Sequence, residues 1–218
     1  MIFDHIQPED VIKTVTEKGY CFIDEFLTAE GIRSLRDESD DLDFQFQDSV
    51  THPIWKGSRN EVRQKHSRSY HMISSGNVPA ASLLSQECSQ LFPINGWLMT
   101  EAGYQRYRSD SDFISPHRDR RSDHLMSVTV TLAGSALVRI LIPNSDHSDY
   151  TDLSVLDQFM TKPGSAMILR APGLGSGEQV IHEVFPPESG SRLILNLRMR
   201  DSVLRQLNEE IKCNLQTC

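Results

Sequence analysis

Residues 104–119 read YQRYRSDSDFISPHRD, an aromatic strand, a loop of serine and aspartate, and then His117 and Asp119 with one residue between them. In extended backbone, side chains two apart leave on the same face, so this imidazole and this carboxylate can meet one ion. Outward from here the chain is a series of short β-type runs divided by turn signals. The five strongest are WLMTEAGYQRYR (97–108), LMSVTVTLAG (125–134), ALVRILIPN (136–144), GSAMILRAPG (164–173) and RLILNLRMR (192–200). In the last of them, alternation puts Arg192, Ile194, Asn196 and Arg198 on one face and Leu193, Leu195 and Leu197 on the other. Ser127, Thr129 and Thr131 also share a face, either lining a site or serving as β-formers.

Toward the N-terminus the texture is helical. Pro8, Glu9 and Asp10 followed by Val11, Ile12 and Val15, with Gly19 as a stop, predict a helix over 8–19. YCFIDEFL (20–27) predicts a strand, and Thr28 the N-cap of a helix over 29–38 that closes in the acidic run DESDDLDFQFQD. Residues 49–80 lack clean periodicity and predict a long irregular segment, which in a small domain is usually functional. Residues 80–91 predict another helix, and EEIKCNLQTC at the C-terminus a helix end with a tail. Helices first and antiparallel-looking strands after predict an α+β protein whose helices brace one face of a β-sandwich or barrel.

Length and composition narrow the function classes. At 218 residues the chain suits one domain, 1–218, with a core of ordinary size. With 38% hydrophobic and 24% charged residues and no apolar run of bilayer length, a membrane protein is not expected, and the acidic start MIFDHIQPED predicts a cytoplasmic protein. Cys21, Cys88, Cys213 and Cys218 form no paired motif, so neither a disulfide framework nor a zinc finger is expected. A formal charge of −8 disfavours nucleic acid as partner. The one basic stretch, KGSRNEVRQKHSRSYH (56–71), is either a solvated loop or a lid whose arginines meet an acidic substrate, with Trp55, Arg68 and His71 as candidates. GLGSGE (173–178) lacks the Lys-Ser/Thr of a phosphate loop and reads as a flexible turn.

That turn leads into VIHEVFPP, where His182 is a candidate third metal ligand from a neighbouring strand. Two imidazoles and a carboxylate on one face of an octahedron leave three positions open, an arrangement diagnostic of non-haem iron(II) oxygenases. Arg192, ten residues after His182, can receive a carboxylate through both arms of its guanidinium. The plainer alternatives are a surface loop for His117 and Asp119, a packed histidine for His182, and a sheet arginine paired with one of the 30 acids for Arg192.

These residues together, His117-Arg118-Asp119, then His182, then Arg192 on the next strand, resemble the Fe(II)/2-oxoglutarate dioxygenase superfamily. The stretches GYCFIDEFLTAEGIRSL, YQRYRSDSDFISPHRD and Pro163-Gly164 before SAMIL are similar to that family's N-terminal strand and helix, first metal-binding segment and turn before the distal histidine. The resemblance implies a double-stranded β-helix, a cupin-like jelly roll over 97–200, with 1–96 as helical support and substrate-side segments. It implies His117, Asp119 and His182 as iron ligands, 2-oxoglutarate as co-substrate and O2 as oxidant, with succinate and CO2 released. Arg192 would hold the distal carboxylate of 2-oxoglutarate, and Gln105 and Tyr107 would reach the same molecule. The six-residue spacing from Arg192 to Arg198 is similar to the AlkB-type demethylases and implies Arg198 near the carboxylate that chelates iron. Because Asp119 is present where related halogenases carry a small residue, halogenation is disfavoured. The leading expectation is an enzyme that hydroxylates, desaturates or cyclises a small metabolite such as an amino acid or other carboxylate. The alternatives are a demethylase or hydroxylase of nucleic acid or protein side chains, and a catalytically silent sensor of iron or 2-oxoglutarate. Oligomeric state stays open.

Overall fold

Helix α1 (Pro8–Lys18) starts with proline in its first turn beside Glu9 and Asp10, and stops at Gly19, whose φ of 90° only glycine adopts without strain. Its Val11 and Val15 are buried. Strand β1 (Tyr20–Ile23) follows, shorter than the expected 20–27 because Phe26 and Leu27 leave the sheet and donate their amides to the Gly164 carbonyl. The Thr28 hydroxyl caps helix α2 (Ala29–Asp40) by accepting from the Gly31 amide at 3.1 Å. Helix α3 (Pro79–Leu91) is capped by a more distant residue. Glu38 of α2 accepts from the Ala80 and Ala81 amides at 2.6 and 3.1 Å, which places a carboxylate on the positive end of α3 and ties the two helices together.

The computed structural model describes residues 1–51, 61–108, 111–120, 122–144 and 152–200, so the C-terminal helix end expected at 209–218 lies outside them. Between α2 and α3 the expected irregular segment is instead largely β: strands β2 (Gln45–Thr51) and β3 (Val62–Met72) pair antiparallel, and a short 3-10 turn at Ile73–Ser75 leads into α3. Hydropathy hid β3 because its inward positions, His66 among them, are polar. Its strand character comes from pairing with neighbours.

The remaining strands are β4 (Glu101–Arg108), β5 (Phe113–His117), β6 (Met126–Ala133), β7 (Leu137–Pro143), β8 (Leu153–Met160), β9 (Ala166–Arg170), β10 (Ile181–Val184) and β11 (Ser191–Arg198). All pair antiparallel in the order β1-β9-β6-β11-β4-β3-β5-β10-β7-β8, with β2 on β3. The two ends of that path meet: the Tyr20 hydroxyl of β1 donates to Asp157 of β8 at 3.1 Å, and Phe22 stacks on Phe159 with ring centres 4.8 Å apart. The result is a nearly closed barrel of jelly-roll type braced by the three helices, as the strand and helix patterns predict.

The alternation of β11 divides inside from outside. Leu193, Leu195 and Leu197 join the main core with Val128 and Val130 of β6, Leu35 of α2 and Leu84 and Cys88 of α3. Arg192, Ile194, Asn196 and Arg198 face an internal cavity. No helix among the described residues is long and apolar enough to cross a membrane.

Candidate metal centre

Strands β5 and β10 pair so that His182 stands opposite His117, their rings tilted with centres 4.2 Å apart. Asp119 lies just past the end of β5. One ligand atom from each of His117, Asp119 and His182 falls within 4.8 Å of the others. His117 Nδ1 donates to the Ser115 carbonyl at 2.8 Å, which fixes the tautomer and leaves the Nε2 lone pair for an ion. Burial, then the neighbouring His182, drives the His117 imidazole down to about 3, and burial lowers His182 as well, so both rings are neutral and ready to ligate. Burial pushes the Asp119 carboxyl up, but the Arg198 guanidinium and the two imidazoles outweigh it and hold it below the usual carboxylate range. A hydrogen bond from Ser127 assists. Two neutral imidazoles and one carboxylate suit a divalent ion such as iron(II) with open coordination positions.

Arg192, which lines the same cavity, is 3% exposed. Its Nη2 reaches Thr131 Oγ1 at 3.4 Å, its guanidinium carbon lies over the Tyr107 ring at 5.6 Å, and its Nε and Nη1 have no hydrogen-bond partner among the described residues. Burial brings this guanidinium down to about 10, which expresses how poorly the apo site solvates it. Arg198 is different. It donates to Asn196 Oδ1 at 2.6 Å and lies 3.4 Å from Asp119 and 3.7 Å from Asp123, and these acids raise it above its ordinary value despite burial. Gln105 and Tyr107 both line the cavity and are bonded to each other, the Tyr107 hydroxyl donating to Gln105 Oε1 at 2.6 Å. Thr129 and Thr131 line it too, and Met167, Leu169, Val138 and Ile114 supply an apolar wall.

Other residues here were not expected from the sequence. Asp123 is fully buried beside Arg198, and burial raises its carboxyl to about 6. Tyr70 of β3 lies flat across Gly103 of β4, where a Cβ would collide with its ring, and its hydroxyl accepts from Gln105 Nε2 at 3.4 Å. His66 stacks on Tyr107 with ring centres 5.2 Å apart. The two-residue spacing of His66, Arg68 and Tyr70 is the signal that could have found this strand face. His71 points to the opposite side, where it meets the Ser69 hydroxyl at 2.9 Å, and Trp55, Lys56 and Arg59 lie outside the described residues. The glycine-rich turn before His182 packs on Arg170, which donates to the Thr16 and Glu178 carbonyls.

His66 is 1% exposed, and burial followed by the charge of Arg68 drives its imidazole down to about 4. Its folded value lies below the unfolded one, so as pH falls through the unfolded value near 6.5 toward 4 the unfolded chain gains the proton and stability is lost. Across that window the metal-free protein should lose up to about 3 kcal/mol on this account. His66→Phe should flatten the fall relative to wild type, read as urea midpoints at pH 7 and pH 4.5, and parallel profiles would refute it.

No protein-family model and no curated protein matches the sequence. Solved structures do resemble it. A prolyl hydroxylase from Trichoplax adhaerens, in complex with a hypoxia inducible factor oxygen degradation domain peptide fragment, superposes with a TM-score of 0.60 at 15% identity, covering 92% of this chain and 91% of that one. A Pseudomonas putida prolyl-4-hydroxylase gives a TM-score of 0.59 at 17% identity over 89% of this chain and 99% of its own. The fold is that of the 2OG-Fe(II) oxygenases. A Burkholderia pseudomallei oxidoreductase of the 2OG-Fe(II) oxygenase family agrees, at TM-score 0.57 and 13% identity over 91% of this chain and 93% of that one. Within this oxygenase fold, His117, Asp119 and His182 converge at one end of the cavity and Arg192 stands on its wall.

Proposed function

We propose that the chain, as one domain, is an iron(II)- and 2-oxoglutarate-dependent oxygenase that oxidises a small metabolite by hydroxylation, desaturation or cyclisation. The observation that carries this is Arg192, a buried guanidinium with two nitrogens unpartnered among the described residues, in the same cavity as three convergent metal-ligand atoms. An unpaired buried charge demands an anion, and a dicarboxylate that also chelates the metal answers both needs. Iron(II) with 2-oxoglutarate, when bound, supplies the oxidising power through O2-driven release of succinate and CO2.

His117, Asp119 and His182 hold the metal. Arg192, steadied by Thr131 and the Tyr107 ring, takes the remote carboxylate of the co-substrate. Tyr107 and Gln105 turn polar groups toward the same molecule, and Arg198 lies near the carboxylate that chelates iron while balancing the charge of Asp119. Met167, Leu169, Val138 and Ile114 exclude water from the space where oxidation occurs. The recessed cavity inside a nearly closed barrel favours a small substrate. The peptide bound to the Trichoplax neighbour favours a second reading, oxidation of a protein side chain.

Anaerobic calorimetry tests the first part: 2-oxoglutarate should bind with Mn(II) in place of iron and fail to bind without metal. Succinate release under air with iron(II) should then rise with particular compounds from a metabolite panel and not with peptides. Metal-independent or absent 2-oxoglutarate binding would overturn the proposal.

A further inference from the structure

Strand β3 borders β4, whose Gln105 and Tyr107 line the cavity, and the metal and co-substrate roles leave its side chains unused. Register runs from Arg68 to Gln105 of β4, from Gln105 to Ile194 of β11 and from Ile194 to Thr131 of β6, so these four side chains share one face. Gln105, Ile194 and Thr131 line the cavity. A parallel row runs from Tyr70 to Gly103 and on to Asn196. Because Gly103 has no side chain, the Tyr70 ring fills its place, and the Arg68 guanidinium lies 4.9 Å above that ring.

The neighbouring arginines of β4 are paired, Arg106 with Asp40 and Arg108 with Asp112. For half-buried Arg68 the described residues supply an aromatic face and no carboxylate. In a chain with eight more acids than bases, a guanidinium level with cavity-lining Gln105 and without a carboxylate among the described residues is conspicuous. His66, next along the same face and buried, has no partner for either ring nitrogen among the described residues, a second polar group that waits for one. Arg68 sits two strands from β11, on the order of 10 Å away, so it is not a second arm for the carboxylate assigned to Arg192.

We propose that Arg68, held flat by Tyr70 over Gly103, binds an anionic group, a carboxylate, of the primary substrate and so sets specificity for acidic small molecules. Stacking leaves the edge of the guanidinium presented as a two-pronged donor, the geometry a carboxylate accepts. This rests on the proposed oxygenase reading.

The test uses full-length protein loaded with Mn(II) and 2-oxoglutarate without O2, and reads relaxation enhancement by the metal in proton spectra of a probe panel: N-acetyl amino acids and their uncharged amides. Wild type should enhance at least one acid about tenfold or more over its amide. In Arg68→Gln that preference should vanish with 2-oxoglutarate affinity unchanged, and Arg68→Lys should keep part of it. Equal enhancement of acids and amides, no enhancement of any acid, or an acid preference that survives in Arg68→Gln would overturn the assignment. Absent Mn(II)-dependent 2-oxoglutarate binding in the same samples would instead count against the oxygenase reading itself.

Discussion

Arg192→Met should weaken 2-oxoglutarate binding by about two to three orders of magnitude while making the ligand-free protein more stable. The two effects have one cause. This guanidinium is buried with two nitrogens unpartnered among the described residues, so without an anion its burial opposes folding, and a methionine of similar length removes that cost. The gain should be about 1–2 kcal/mol. With co-substrate bound the sign reverses, because losing one partner of a buried charge pair costs about 2–5 kcal/mol. Calorimetry with Mn(II) gives the affinity and urea unfolding the stability. An unchanged 2-oxoglutarate Kd would remove Arg192 from its role, and a less stable apo variant would mean that the guanidinium has partners in solution.

Asp119→Ala should lower Fe(II) or Mn(II) affinity by at least ~100-fold, the upper end of what losing even an outer-shell partner does. Two imidazoles remain, but the only anionic ligand of the three is gone. Melting temperature without metal should move little. Arg198 keeps Asp123 at 3.7 Å and Asn196 at 2.6 Å, so no buried cation is orphaned. Metal titration followed by dye competition measures the first quantity and circular dichroism the second. Retained affinity would show that the ion sits elsewhere.

How much of this could be read from the amino acids alone depends on how local each feature is. Strand β11 declares itself, since leucines packing under the helices alternate with arginines facing the cavity, and its period of two survives in the sequence. His117 and Asp119 were legible for the same reason. Strand β3 was not: Ser67 and Ser69 on one side and His66 and Arg68 on the other give no hydropathy contrast, and only the backbone partners in β2, β4 and β5 make it a strand. Strand β8 was missed because it is mostly exposed. Strand β4 begins at Glu101 and not at Trp97, whose indole turns away to donate to the Met126 carbonyl at 3.0 Å. Tyr70 and Gly103 are 33 positions apart, and the vacancy one leaves for the other exists only after the sheet has formed.

The contact of Tyr20 and Phe22 with Asp157 and Phe159 bears on self-association. Strands β1 and β8 end the main path of the sheet, and a bare margin invites another molecule to add its own strand. Here side chains of each strand cover the other, so the first two dozen residues should limit the addition of a foreign strand. A truncation made to trim the N-terminus would therefore alter colloidal behaviour before it altered the metal centre.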